Sequence, residues 1–197
     1  PWSGETRGEE AGQAKGAGGT QGKILESGSS NVAGWHIASA QAEARRRSFT
    51  GLVSEQSIYN LLTRAIELEV IPAAQEYGLG VLPWSPLHGG LLGGVLKKEA
   101  KGVRRAEGRA LEALDTHRTQ IQKYEDLADE LGHEPGQVGL AWLLAQPAVT
   151  APIIGPRTQE QLDLALKALD VNLDTDALTR LDAIFPGHQS APEDYAW

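Results

Sequence analysis

The stretch VLPWSPLHGG, residues 81–90, joins an apolar run to a large aromatic side chain and a glycine-rich loop. Trp84 stands where the apolar run ends, and Gly89 and Gly90 follow shortly after it. Glycines let a backbone approach phosphate closely, and an indole offers a flat apolar face. The combination suits a planar cofactor that carries phosphates. Taken singly, however, a tryptophan at this position is more typical of the core than of a cofactor site, and glycines after a strand are ordinary turn residues.

Polar side chains follow two other short apolar segments. Ser30, Asn31 and Gln56 supply a hydroxyl and two amides, which can both donate to and accept from a carboxamide. Ser and Asn at a strand end are also common helix caps, so neither residue is decisive alone.

A candidate anion site occurs near the end of the sequence. Arg157 precedes a predicted helix whose start, Thr158 with Gln161 three residues on, has the capping-box pattern. A helix N-terminus beside a guanidinium group binds anions well, whereas an isolated arginine is often a solvated surface charge. The hypothesis of a dinucleotide site therefore depends on all these groups lying together.

Alternating strands and helices would bring them together. The sequence predicts strands at 23–31, 51–56, 79–84 and 149–155, and helices at 33–47, 66–78, 107–131, 135–147, 158–170 and 174–184. Such a chain forms parallel βα units, as found in an open doubly wound sheet or in a (β/α)8 barrel, of which four units are half. In both folds ligands bind at the C-terminal ends of the strands, where the residues above are placed.

Composition narrows the function further. The 197 residues suffice for one sizeable core, and 41% hydrophobic with 22% charged residues is typical of a globular protein. A net charge of −8 argues against nucleic acid as a partner, and the absence of cysteine excludes disulfides and thiolate metal sites. No metal site is predicted. With no apolar run of about 18 residues and no signal peptide, we expect no membrane association and a cytoplasmic protein.

The first 22 residues differ from the rest in composition. They contain seven glycines and no Val, Ile, Leu or Phe. Such a segment buries too little apolar surface to offset the entropy of ordering it. We therefore divide the chain into 1–22, a flexible tail or a segment foreign to the domain, and 23–197, the folded domain.

Two long motifs carry a resemblance to a known family. The motifs SEQSIYNLLTRAIELEVIPAAQEYGLGVLPWSPLHGGLLGG and APIIGPRTQEQLDLALKALDVNLD resemble the aldo-keto reductases, in particular the bacterial branch related to potassium-channel β subunits. The resemblance covers about residues 23–197. It implies a (β/α)8 barrel of which this chain forms strands five to eight, and it implies NADP(H) as the cofactor, bound without a Rossmann fold.

The resemblance also implies a role for each candidate residue. The nicotinamide part of the site comprises Ser30, Asn31, Gln56 and Trp84, with Trp84 stacked on the ring. The loop over the pyrophosphate comprises Ser85, Pro86, Leu87 and Gly89. The adenosine part comprises Gly155, Arg157 and Gln161, with Arg157 reading a 2′-phosphate.

Some positions depart from the family pattern. Val95 stands where a lysine is often found, and Ala165 stands where an asparagine commonly contacts adenine. The family's catalytic Asp, Tyr, Lys and His lie on the first four strands, which this chain does not match. Tyr59 has no lysine or histidine near it in sequence to lower its pKa, and His88 has no support, so we assign no catalytic residue.

Three functions remain open. The first is an NADPH-dependent reductase of a small carbonyl or keto-sugar, present here as a part that lacks the catalytic half. The alternatives are a non-catalytic half-barrel that binds NADP(H) or a partner, and a structural remnant. Half a barrel exposes two unpaired edges, so we expect association through those edges, either as a homo-oligomer or with a partner chain.

Overall fold

The computed structural model describes residues 22–100 and 109–188, and within the second range it describes side chains from residue 113 onward. Three strands, β1 (Ser27–Ser30), β2 (Leu52–Gln56) and β3 (Gly80–Val81), form a parallel sheet in the order β1-β2-β3. Ser30 pairs with Gln56 and Glu55 with Val81, so the C-terminal ends of the strands lie at one edge. The parallel α/β architecture predicted from the sequence is confirmed. The proposed division at residue 22 falls at the border of the described residues, and the tail before it lies outside them.

Helices follow the strands. Their bounds are α1 (Gly34–Arg46), α2 (Val70–Tyr77), α3 (Val95–Ala100), α4 (Arg109–Glu130), α5 (Pro135–Leu144), α6 (Gln159–Leu166) and α7 (Thr175–Ile184). The helix predicted at 66–78 begins only at Val70, because a short 3-10 turn over Ala65–Glu67 precedes it. It ends as expected at Gly78, whose φ of 70° is the left-handed conformation that glycine tolerates best.

The fourth predicted strand, 149–155, is not a regular strand, and that prediction was wrong in detail. The segment runs beside β3: Thr150 N donates to Val81 O at 2.9 Å, and Ile153 N donates to Pro83 O at 2.7 Å. Only Val149 forms a bridge, opposite Val81. Pro152 and Pro156 lack amide hydrogens, so they remove donors that a continuous ladder would need.

The core lies between the sheet and the helices behind it. Its apolar side chains come from every layer, and the largest fully buried ones include Ile37, Tyr59, Tyr124, Trp142 and Leu181. The rings of Tyr59 and Trp142 lie 5.2 Å apart, and those of Tyr124 and Phe185 lie 5.7 Å apart in an edge-to-face arrangement. These contacts fasten α4, α5 and α7 behind the strand ends.

A half-buried arginine, Arg64, joins the loop after β2 to the C-terminal helix. Arg64 Nε donates to Glu67 Oε1 at 2.7 Å, and Arg64 Nη1 donates to Asp182 Oδ1 at 2.5 Å and to Phe185 O at 2.8 Å. Its guanidinium also lies 5.0 Å from the centre of the Trp142 ring. The loop and α7 are thereby held as one unit.

Candidate functional site

The ends of β1 and β2 and the start of the loop after β3 meet at Asn31. The backbone N of Asn31 donates to Gln56 O at 3.0 Å, and the indole Nε1 of Trp84 donates to Asn31 Oδ1 at 2.9 Å. The amide Nδ2 of Asn31 donates in turn to Ser30 Oγ at 3.0 Å. The structure thus brings Ser30, Asn31, Gln56 and Trp84 to one edge of the sheet.

These four side chains are accessible to a ligand. Asn31 and Gln56 are exposed, and Ser30 and Trp84 are half-buried. Trp84 is not packed into the core as Trp142 is, because its ring lies at the rim of the sheet and its indole nitrogen is held by Asn31. The arrangement has one flat ring beside a hydroxyl and two amides, which is what a carboxamide-bearing aromatic ligand requires.

The loop after Trp84 has an unusual backbone. Positive φ angles occur at Ser85 (53°), His88 (47°), Gly89 (64°) and Gly90 (97°). Non-glycine residues rarely adopt this region, so contacts from elsewhere must hold the loop. One such contact comes from buried Asn60, whose Nδ2 donates to Ser85 O at 3.0 Å while its Oδ1 accepts from the backbone N of Thr63 at 2.9 Å.

The same loop is packed against α5. Pro86 is buried and Leu87 is half-buried against the core. A Cβ added at Gly139 would lie 3.2 Å from Leu87 Cδ2, and one added at Gly136 would lie 3.6 Å from Leu87 Cδ1. The two glycines therefore form a shallow groove on α5 that receives Leu87. Pro86 and Leu87 fix the loop from beneath, and Gly89 remains at the exposed surface.

The predicted adenosine part lies where the segment 149–155, which runs beside β3, leads into the start of α6. Gly155, Arg157 and Gln161 are all exposed, and no other atom lies within 4 Å of a Cβ built at Gly155. Thr158 caps α6, since its Oγ1 accepts from Gln161 N at 3.3 Å. The reciprocal half of the predicted capping box is not formed, because Gln161 Oε1 accepts from the backbone N of Arg157 at 2.7 Å instead of from Thr158. Gln161 consequently orients the backbone of Arg157.

The two departures from the family pattern differ in burial. Val95 is 6% exposed and belongs to the core, whereas Ala165 is half-buried on α6. A cation is nevertheless near the loop, because Lys98, one turn after Val95, places its Nζ 2.6 Å from Gly93 O. No simple sequence signal would have singled out Lys98 from its neighbour Lys97.

Sequence reasoning also missed buried polar residues that hold the loop. Asn60 is one, and Tyr124 and Glu125 on α4 are two more: Tyr124 Oη donates chiefly to Pro135 O and lies 3.3 Å from Leu92 O, and Glu125 accepts from two backbone amides of α3. Their partners are backbone atoms far away in sequence, so no local motif marks them.

Tyr59 and Tyr124 offer no accessible acid near the strand ends. Tyr59 is 1% exposed and its Oη donates to Glu67 Oε1 at 2.6 Å. Burial and this carboxylate raise the pKa of Tyr59 well above its ordinary value, and burial raises the pKa of Tyr124 likewise. A tyrosine with a raised pKa inside the core is a poor proton donor to a surface ligand.

His88 lies in the loop itself. Its Nδ1 is 3.3 Å from Thr63 Oγ1, and its backbone N donates to Ser85 O at 3.0 Å. Burial lowers the pKa of His88 below its ordinary value of 6.5, and the charge of His117 lowers it further. A neutral ring at physiological pH agrees with assigning no catalytic role to His88.

The residues present fit a dinucleotide by their chemistry. At the strand ends a half-exposed indole adjoins amide groups, and the loop leaves open space around Gly90, where no atom lies within 4 Å of a built Cβ.

Among residues 22–100 and 109–188, no cluster of three or more histidine or acidic side chains is arranged to hold a metal. The helices in that part of the chain include none with the length and apolar character needed to cross a membrane.

Comparison with known proteins agrees with the motifs. The sequence model of the Aldo/keto reductase family matches residues 16–185. The uncharacterized oxidoreductase YrpG of Bacillus subtilis is 53% identical over 177 residues, which cover 89% of this chain and 54% of that protein. A probable voltage-gated potassium channel subunit beta of Oryza sativa subsp. japonica is 32% identical over 181 residues, covering 85% of this chain and 54% of the relative.

A third relative is the aryl-alcohol dehydrogenase [NADP(+)] of Phanerodontia chrysosporium, 28% identical over 179 residues, with 87% of this chain and 46% of the relative covered. The chain spans about half the length of the curated relatives it matches. The family predicted from the motifs is confirmed. By this match over most of its length, the chain belongs to the aldo/keto reductase family.

Proposed function

We propose that this chain carries the NADP(H)-binding part of an aldo-keto reductase that reduces a small carbonyl or keto-sugar substrate. The observation that carries the proposal is the junction of Asn31, Gln56 and Trp84 at the strand ends, with an indole held by an amide and left accessible. NADPH bound there would supply the hydride. The bound dinucleotide would extend along the glycine loop toward Arg157, whose guanidinium is exposed and free to meet a 2′-phosphate.

NADP(H) is favoured by the local chemistry. Amide groups beside a flat ring recognise a carboxamide, and an exposed guanidinium after a glycine recognises phosphate. The aryl-alcohol dehydrogenase among the relatives bears NADP(+) in its name, which supports the same cofactor here.

A non-catalytic role of the chain taken alone is the second candidate. Tyr59 and Tyr124, buried at 1% and 0% exposure, are both committed to internal hydrogen bonds, so neither offers a proton to a carbonyl oxygen at the strand ends. A chain that binds NADP(H) without reducing a carbonyl would show this arrangement.

Titration with NADPH tests the cofactor site. The nicotinamide fluorescence of NADPH is the readout, because it reports binding in variants that lack a tryptophan. We expect saturable binding by the wild type, weaker binding by Trp84→Phe and none by Trp84→Ala, since alanine offers no flat face. Circular dichroism establishes that each variant is folded. Equal binding by all three proteins would contradict the assignment of Trp84.

Turnover separates the two candidates. With the cofactor site established, oxidation of NADPH is followed at 340 nm in the presence of a simple aldehyde. Aldehyde-dependent oxidation supports a reductase, whereas binding without oxidation supports the non-catalytic role of this chain.

A further inference from the structure

A buried carboxylate lies beneath the loop that follows Trp84. Glu125 is 1% exposed and belongs to α4, far from the loop in sequence. Its Oε1 accepts from the backbone N of Leu96 at 2.9 Å, and its Oε2 accepts from the backbone N of Lys97 at 3.0 Å. Both amides belong to the first turn of α3, where backbone donors lack partners within the helix. Glu125 therefore supplies the cap that the sequence before α3 does not.

The position of α3 determines where the loop ends. The segment 85–94 runs from Trp84 directly into Val95, and it contains several residues with positive φ that cannot hold their conformation unaided. Its middle contacts Tyr124, whose Oη donates chiefly to Pro135 O on α5 and also lies 3.3 Å from Leu92 O. Its far end is held by Glu125 through α3. Two neighbouring residues of α4 thus fix the second half of the loop.

Glu125 also removes two amides from the surface available to a ligand. Since the amides of Leu96 and Lys97 are bonded to its carboxylate, they cannot serve a bound phosphate. A phosphate over the loop would have to be met by those amides of 85–94 that are not already bonded within the loop, and by Lys98, whose Nζ lies at Gly93 O. The arrangement of those groups depends on the loop being anchored at α3.

We propose that Glu125 is a positioning residue for the pyrophosphate of the dinucleotide. It touches no ligand and acts through the backbone of α3 and the loop. The inference rests on the proposed function, because it assumes that the loop faces the pyrophosphate of NADPH. It predicts that substitution of Glu125 weakens the binding of NADPH more than the binding of a ligand that does not contact the loop.

The test compares two ligands on matched variants. NADPH spans the loop, whereas 2′,5′-ADP reaches only the adenosine part near Arg157. Glu125→Gln keeps the shape but cannot accept from both amides, and Glu125→Asp keeps the charge on a shorter side chain. Asp129→Asn is the control, because Asp129 also joins α4 to α3, through an exposed ion pair with Lys97 that involves no backbone amide.

We expect Glu125→Gln to weaken NADPH binding about tenfold, the size of a lost hydrogen bond to a charged group. Binding of 2′,5′-ADP should stay as in the wild type, and Glu125→Asp should fall between the two. Amide exchange measured by NMR should rise at Leu96 and Lys97 in Glu125→Gln. Asp129→Asn should bind both ligands normally.

The outcomes distinguish a failure of this inference from a failure of the proposed function on which it rests. Unchanged NADPH affinity in a folded Glu125→Gln protein would overturn the inference and leave the function standing. Loss of both ligands together would show general destabilisation and would also overturn it. If the wild type itself binds neither ligand, the proposed function fails and the inference fails with it.

Discussion

The indole Nε1 of Trp84 donates a hydrogen bond to Oδ1 of Asn31, 2.9 Å away, across the ends of the sheet. Fifty-three positions separate the two residues in sequence, and Asn31 occupies the left-handed region with a φ of 53°. Asparagine tolerates that conformation better than most residues, so a single residue makes the turn after β1 and orients the ring.

Substitutions at Asn31 should separate the contribution of its side chain to cofactor binding from the contribution of its backbone conformation to stability. Asn31→Gly keeps the left-handed turn but removes the acceptor for Trp84, so we expect NADPH affinity to fall about tenfold with little loss of stability. Asn31→Ala removes the same acceptor and adds backbone strain of about 1 kcal/mol. NADPH titration and urea unfolding of both variants provide the measurements. If the glycine variant binds as tightly as the wild type, the bond to Trp84 does not support the cofactor site.

Arg157 should determine the preference for the phosphorylated cofactor. Because its guanidinium is exposed and its backbone is held by Gln161, Arg157→Ala should lower NADPH affinity about tenfold and leave NADH affinity unchanged. Titrations with the two cofactors measure the ratio directly. Lys167→Ala, an exposed cation farther along the same part of the chain, serves as the control. An equal loss for both cofactors would contradict a role in reading the 2′-phosphate.

The groove that receives Leu87 should tolerate a methyl group at one glycine and not at the other. A Cβ at Gly139 would lie 2.9 Å from Tyr124 Oη and 3.2 Å from Leu87 Cδ2, whereas one at Gly136 would make only ordinary contacts of 3.6 Å or more. We expect Gly139→Ala to lower the free energy of unfolding by about 1–2 kcal/mol. Gly136→Ala should be neutral or slightly stabilising, because alanine favours the helix. Urea unfolding curves provide the comparison. Equal free energies of unfolding for the two variants would contradict the assignment of the groove.

The pH dependence of stability should carry a contribution from His88. Burial lowers the pKa of His88 in the folded chain below its ordinary value of 6.5. At pH values between these two pKa values, the unfolded chain therefore binds more protons than the folded chain. The stability that the folded chain gains from a neutral His88 is fully present above about pH 6.5. It is lost as the pH falls through the pKa of His88 in the folded chain. An NMR titration should give a pKa below 6.5 for the ring. Unfolding free energies at pH 7.5 and 5.5 should differ less in His88→Asn, which tolerates the positive φ, than in the wild type; a matching difference would contradict the assignment.

The parts of the fold that could be predicted from sequence are those with local causes. The segments predicted as strands at 23–31 and 51–56 contain β1 and β2, and Gly78 marks the end of α2 because its φ is positive. The prediction of a strand at 149–155 is wrong because its apolar residues favour a strand, whereas Pro152 within it and Pro156 directly after it lack the amide donors of a continuous ladder. The start of α2 was placed too early, because helical composition does not distinguish a 3-10 turn from the helix that follows it.

The candidate site was predictable only in part, and for a similar reason. The family motifs predict the ligand-facing residues by position, and the structure brings three of them, Asn31, Gln56 and Trp84, together at the strand ends. The residues that hold the loop in place, Asn60 and Glu125, bond to backbone atoms up to 29 positions away. Such contacts depend on the folded path of the chain and leave no periodic or spacing signal in the sequence.

The ion-pair network of Arg64 has a consequence for the order of folding. Its bond to Glu67 joins residues three apart, whereas its bond to Asp182 joins residues 118 apart. Short loops close rapidly and long ones slowly, because the entropy lost on closure grows with length. Arg64 and Glu67 should therefore pair early, as soon as the turn after β2 has formed. The bond to Asp182 should form later, when α7 docks and joins the C-terminal part of the described chain to the turn after β2.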